Sequence, residues 1–398
     1  MKNIFKSLII CTVLALLTVG SSNVWAGNRD RSGQSGASHL LIDPWARSNG
    51  MANAGIAEIR GLESMYSNVA GLTYVKKTEF SFNRTQYLVG SQAGININSI
   101  GFAQHLGRKG KDFGVLGVSF FSMGFGNVDI TTVAQPEGGL GTFSPNLMYI
   151  GVHYAKSFNN FIKGGISLKI INESIADLHA TGFALDAGVQ YIAGKFENFK
   201  IGVALKNIGL PMSYKGDGIT YTGVINGTSV EQTLAVRSAE YEMPALLSIG
   251  VSYDFLFFGG EYASMSKEDL EAEGLTRDDA KHRITLAGSF IANSYSRDIF
   301  ALGLEYGFMN YFMVRAGYAL ENVTKKTESV YDENGVETQQ LSAMLFNSDS
   351  FFAGPSLGAT CVIPLKKGNT GSRIYIDYAY RFTKQWKGNH YIGLKFTL

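Results

Sequence analysis

Cysteine, proline, one-signed charge and long apolar runs are all scarce in this chain, and each shortage excludes something. Of two cysteines, Cys11 lies in the first 26 residues and Cys361 stands alone beyond them. An intramolecular disulfide and a cysteine metal centre are therefore excluded once that segment is removed. With only 7 prolines, little interrupts extended backbone. The longest apolar run, Ser7 to Gly20, is shorter than the ~20 residues a spanning helix requires. Loss of Lys2 and Lys6 with the first 26 residues brings the 35 basic residues level with the 33 acidic ones. A neutral chain gives no argument for nucleic-acid binding.

Chemistry-bearing motifs are missing too. The histidines, His39, His105, His153, His179, His282 and His390, are scattered without a helix-spaced partner, and there is no GxSxG, HExxH or phosphate loop. No catalytic residue, metal site or cofactor is assigned. A lipid hydrolase would need Ser, His and an acid or amide on an outer wall, and the alternation places His153 and His390 inward.

What is present starts with an address. Lys2 and Lys6 precede the apolar run, and Val24-Trp25-Ala26 follows it, the pattern of a secretory signal peptide cleaved after Ala26. Beyond it, 47 glycines and 12% aromatic residues suit a transmembrane β-barrel.

The stretch Phe183–Ile192, FALDAGVQYI, shows why. Phe183, Leu185, Ala187, Val189 and Tyr191 take one face; Ala184, Asp186, Gly188 and Gln190 take the other. Period-2 alternation means a strand with two unlike faces. Fifteen such stretches run from Thr78–Tyr87 to Asn389–Leu398, several at the 9–11 residues that a tilted membrane strand needs. Bacterial single-chain barrels have even strand numbers. The long polar stretches Gly124–Pro145, Leu210–Met243 and Glu321–Ser350 belong at one end, and tight turns such as Asn159-Asn160 and Met309-Asn310 at the other. That parity removes Phe257–Met265. Phe257–Lys281 becomes a turn-side insertion with cap signatures at Ser266…Asp269 and Thr276…Asp279. The expected fold is all-β, a 14-stranded antiparallel transmembrane barrel. A soluble two-sheet or propeller protein is the alternative.

Three regions follow: residues 1–26, the signal peptide; 27–77, an N-terminal leader and hatch; 78–398, the barrel. Gly27–Ser38 is polar and Gly-rich and is expected to be mobile. Pro44–Ile59 reads as a short helix and turn inside or under the barrel. Lys163, Lys169, Asp186, Lys206, Asp377 and Arg381 fall on lumen faces, where ion pairs and water would hold them. Arginine is expected to be costly at Leu185 and cheap at Gln190.

Four stretches resemble one family. Ala46–Gly55 (ARSNGMANAG) and Met65–Leu72 (MYSNVAGL) look like the opening motifs of PorV/PorQ proteins, with Val69 and Ser67 in place of the usual Pro and Trp. Gly303-Leu304-Glu305-Tyr306 with Arg315-Ala316-Gly317-Tyr318, and Asp377-Tyr378-Ala379-Tyr380 with Gly388-Asn389-His390, resemble its later motifs. The final Tyr391–Leu398 is similar to the terminal insertion signal of bacterial barrels. The resemblance implies a FadL-like outer-membrane barrel with a hatch turn at Asn68, Ala70, Gly71 and Leu72. It also implies work in type IX secretion, with secretion components or cargo C-terminal domains as partners beside outer-membrane lipid. Tyr214, Tyr221 and Tyr241 would then be loop anchors for a partner. The rival reading is a FadL-like channel for a hydrophobic solute.

Overall fold

A computed structural model describes residue 31 and residues 33–398, except 92–93, 109–110, 195, 225–230, 237, 261, 263–264, 266–268, 271–272, 322–326, 332–336, 342–351, 366–371 and 385. The signal peptide lies outside the described residues.

Fourteen strands make one closed wall. They are β1 (Thr78–Gln86), β2 (Asn96–Arg108), β3 (Lys111–Gly124), β4 (Asn146–Ser157), β5 (Ile162–Ile175), β6 (Leu178–Ala193), β7 (Phe199–Gly209), β8 (Leu246–Phe257), β9 (His282–Asn293), β10 (Ile299–Phe308), β11 (Phe312–Glu321), β12 (Gly354–Pro364), β13 (Arg373–Arg381) and β14 (Asn389–Thr397). Each pairs antiparallel with its sequence neighbours, and β14 returns to β1 with Phe396 opposite Phe80 and Leu394 opposite Phe82. Closure leaves no free edge, the condition for strands to cross hydrocarbon. The ladder shifts register at His105/Gly107 and at Leu185/Ala187.

Alternation explains which side faces where. Along β6, Phe183, Leu185, Val189 and Tyr191 are exposed, whereas Ala184, Asp186 and Gln190 are buried. The same holds on β5 for Ile166, Leu168 and Ile170 against Ser167 and Lys169. An apolar exterior around a polar or packed interior is the inverse of a soluble fold, and it requires lipid outside.

The two ends differ as their turn residues dictate. At one end Met309 and Asn310, both at positive φ (48° and 53°), make the two-residue turn favoured between twisted strands. Asn159 Oδ1 accepts from the backbone N–H of Phe161 and Ile162 in another turn there. The opposite end carries the long connections, which hold their own ladders, Thr220–Val224 with Glu231–Ala235 and Thr327–Tyr331 with Glu337–Leu341.

The segment Phe257–Met265 is not a wall strand, but β8 continues through Phe257, three residues beyond the Asp254 boundary the alternation suggests. The Thr276–Asp279 capping box forms; Ser266 lies outside the described residues.

The N-terminal segment threads the lumen from the long-loop end to the short-turn end. Gly27–Ser38 is not the free leader its composition suggests, at least from Arg31 onward. Arg31 pairs with Glu242 at 3.2 Å and lies over the Tyr295 ring, and the Gly36 N–H donates to the Glu242 carbonyl. The partner is about two hundred residues away, so nothing local announces it. A 3-10 turn (Ser38–Leu41), a five-residue helix (Ala46–Gly50), a helical turn (Ser64–Ser67) and a second 3-10 stretch (Val69–Tyr74) follow. The first helix is shorter than the Pro44–Ile59 expectation because Ala52 and Asn53 take left-handed φ of 51° and 62°.

Candidate functional site

The candidate site is the seat of this hatch. Asn68 caps the Val69–Tyr74 turn by accepting from the Ala70 N–H at 3.2 Å. Its Nδ2 donates to the carbonyls of Ile56 and Val189, both at 3.1 Å. Gly71 touches Ile59, whose carbonyl a Cβ would meet at 2.2 Å, and Leu72 is fully buried. The turn forms with Val69 where proline is usual, and Ser67 Oγ bonds Asp43 at 3.1 Å.

Inward-facing glycines on the wall make room for the hatch backbone. A Cβ at Gly317 would lie 2.3 Å from the Met51 carbonyl carbon, and one at Gly202 2.6 Å from the Ile56 oxygen. Gly358 and Gly188 meet Gly50 and Asn68 as closely. Part of the glycine abundance thus serves hatch seating rather than turns.

Beside that seat Ala46–Gly55 meets the strands that carry Gly303–Tyr306 and Arg315–Tyr318. Glu305 and Arg315 are directly opposed across β10 and β11, with Arg315 Nε donating to Glu305 at 2.6 Å. Arg283 donates to the same carboxylate at 2.7 Å, and Arg47 of the hatch lies 3.7 Å from it and 3.3 Å from Glu58. Burial alone would lower Arg47, but Glu58 and Glu305 outweigh it and hold the guanidinium firmly charged. Elsewhere Lys395 meets Glu63 at 2.6 Å, and Asp254 is held by Lys200, Arg277 and Thr285. Inward parity on the strands was the signal for Glu305 and Arg315; no local feature linked Arg47 to them.

All six lumen charges read from the sequence are buried, yet they do not form one site. Lys169 pairs with Asp186 at 2.6 Å and donates to Asn207. Lys206 sits 3.6 Å above the Tyr66 ring, and Lys163 3.2 Å above Tyr74. Asp377 accepts from Thr360 near Arg315, and Arg381 donates to the Phe352 carbonyl. Packed protein rather than open water surrounds them. Gln190 is likewise 1% exposed and donates to the Ile59 carbonyl, so a charge there would meet the hatch rather than open water.

An apolar cluster lies in the long-loop half of the lumen. Leu40 and Ile42 of the hatch meet Ile97, Phe121, Met123, Tyr149 and Ile171 of the wall, with Met212 and Met243 above. Phe121 and Tyr149 stack at 4.9 Å. One polar latch crosses this cluster: Tyr214 and Tyr241 both donate to Glu173 Oε2, at 2.8 and 2.7 Å, and His39 Nδ1 lies 3.3 Å from Oε1. Burial and the Glu173 carboxylate push Tyr214 up to about 12. The hydroxyls expected to meet a partner are therefore engaged inside the molecule. Tyr221 stands on the Thr220–Val224 ladder, and its side chain lies outside what is described.

A small cavity of ≈ 50 Å³ lies against the hatch, bordered by Asp43, Asn53, Tyr66, Lys206 and Phe352. Burial pushes the Asp43 carboxyl up to about 6 despite the Trp45 N–H and Lys206.

Among the described residues no cluster suits a metal ion. His153 is buried between Ser119 (2.8 Å) and Ser167 (2.7 Å). His390 faces outward, contrary to the sequence reading, because buried Asn389 and Tyr391 flank it on β14. It bonds Tyr378, as the outward-facing His282 bonds Tyr306, so neither is paired with a serine.

A closed barrel of fourteen sequential antiparallel strands, apolar outside and plugged by its own N-terminal segment, is an outer-membrane type of architecture. No family model and no curated protein matches the chain. Among solved structures it is similar to the Pseudomonas putida toluene transporter TodX, at 11% identity and TM-score 0.48 over 89% of this chain and 97% of that one. It is also similar to the CymD monoaromatic hydrocarbon channel (13%, 0.46, 89% and 97%) and to a Pseudomonas aeruginosa FadL homologue (10%, 0.44, 88% and 96%). These are similarities of architecture.

Proposed function

We propose that the protein is a hatch-gated channel of a bacterial outer membrane for a small apolar solute, closed in the arrangement described. The observation that carries this reading is the apolar packing at the long-loop end of the lumen, where a water-filled pore would be polar. Its linings include Met123, Met212 and Met243, side chains that adapt to irregular guests.

Closure follows from volume. The ≈ 50 Å³ cavity is well below the ~150 Å³ apolar cavity that binds benzene, so the hatch must shift before a ring can pass. Apart from the Gly36–Glu242 backbone bond at its start, it is held to the wall by side-chain hydrogen bonds and packing and not as a strand of the sheet, so it can move while the barrel stays closed.

The test is entry of radiolabelled toluene into cells whose outer membrane carries the full chain. Faster entry than into cells without it supports the reading; equal entry overturns it. The type IX docking role implied by the PorV/PorQ resemblance is the rival. It predicts that removing Thr220–Ala235 abolishes co-purification of a secretion component or cargo domain and leaves toluene entry untouched.

A further inference from the structure

A second cavity, of ≈ 310 Å³, lies outside the barrel at its short-turn end. Strand β8 supplies Tyr253 and Phe255 from its outward face, 4.8 Å apart and edge-on. The β6–β7 turn supplies Phe196, and the insertion after β8 supplies Phe258, Met265 and Leu270. Phe196 and Phe258 lie 5.5 Å apart, and Phe196 and Leu270 are buried. The Tyr253 hydroxyl is taken by Asn198 Nδ2 at 2.9 Å, and Asp254, which also lines the hollow, is held by Lys200 and Arg277, so the remaining lining is mainly aromatic and aliphatic.

The position selects an occupant. Leu247, Ile249 and Val251 continue the same face of β8 and are exposed, so the hollow opens onto the lipid-facing belt. At the same register level Phe257 opposes His282 and His282 opposes Phe308, with Tyr306, Tyr311 and Phe312 also exposed. Such an aromatic ring marks the boundary between headgroups and acyl chains. If ~150 Å³ holds the six carbons of benzene, this hollow holds roughly twelve carbons of a chain. The stem of Lys281 crosses Gly259, beside Phe258.

We propose that this hollow is a resident-lipid site that takes one acyl chain of a phospholipid from the leaflet on the short-turn side. The inference rests on the barrel spanning a membrane and is independent of what crosses the lumen.

The test reconstitutes the full chain in phosphatidylethanolamine vesicles doped with a phosphatidylethanolamine carrying a diazirine on its acyl chain. After irradiation, adducts are mapped by mass spectrometry. Labelling of Phe196, Phe258, Met265 and Leu270 severalfold above that of Tyr311 and Phe312 is expected. Met265→Trp, which fills the hollow, and Leu270→Asp, which charges it, should remove that excess while heat-modifiable migration shows the barrel folded and the Tyr311 and Phe312 signals persist. Even labelling around the rim, or labelling that survives both substitutions, overturns the proposal. Labelling by a free aromatic diazirine but not by the phospholipid assigns the hollow to a solute instead, and also overturns it.

Discussion

Asn68 of the hatch donates to the carbonyl oxygen of Val189 on the barrel wall at 3.1 Å, and Gly188 makes the approach possible: a Cβ there would sit 2.2 Å from Asn68 Oδ1. Asn68→Ala leaves the Ile56 and Val189 carbonyls without that donor, and a buried unmet polar group costs about 1–3 kcal/mol. We expect the hatch to loosen within an intact wall. Conductance in planar bilayers should rise and proteolysis within residues 37–75 should quicken, with heat-modifiable migration unchanged. Gly188→Val should do more of the same, because it displaces Asn68 bodily. A variant as silent as the parent would show that this contact does not hold the hatch.

Glu305 balances three arginines, Arg47, Arg283 and Arg315. Removing one partner from a buried charge cluster costs about 3–5 kcal/mol. Glu305→Gln should therefore lower the guanidinium midpoint of the purified barrel markedly. In the double variant with Arg315→Gln part of that loss should return, since one stranded charge is gone. A midpoint unchanged in Glu305→Gln would mean that solvent reaches the cluster.

Asp43 gives a pH signature. Its carboxyl is raised from 3.8 to about 6, chiefly by burial, so the ionised form is the one the folded state disfavours. Its contribution to stability is fully present below about pH 4 and is lost as pH rises through 6. Asp43→Asn should flatten that component: the difference in thermal midpoint between variant and parent should grow in the variant's favour from pH 4 to pH 7. A constant difference over that window would contradict the assignment.

Leu185 and Gln190 separate the two faces of one strand. Leu185→Arg, if near the bilayer midplane, should cost about 2–4 kcal/mol and reduce assembly. Gln190→Arg should leave the wall able to assemble but unseat the hatch at Ile59, so conductance rises. Loss of folded barrel in both would put Gln190 in the wall's own energetics.

Much of the wall was legible in the chain. Phe183–Ile192 alternates because lipid on one side and protein on the other impose period 2 on each strand, and that constraint is written residue by residue. The parity of long and short connections then removed Phe257–Met265 as a crossing, and β8 passing directly to β9 agrees. The insertion's capping box was legible for the same local reason.

The hatch seat was not legible, because it depends on how the closed wall sets its strands in register. That register brings Arg47, from more than 250 positions away, and Arg315 to the Glu305 carboxylate, and it lines glycines such as Gly188 and Gly317 along the hatch path. The loop sequence marks Tyr214 and Tyr241 as aromatic but does not say which way either one turns. Only the fold places Glu173 beneath them. Period and polarity act between near neighbours, so the sequence by itself determined the strands, their faces and their number. Close approach of distant segments depends on barrel closure, so only the tertiary structure decided what fills the lumen and what holds it shut.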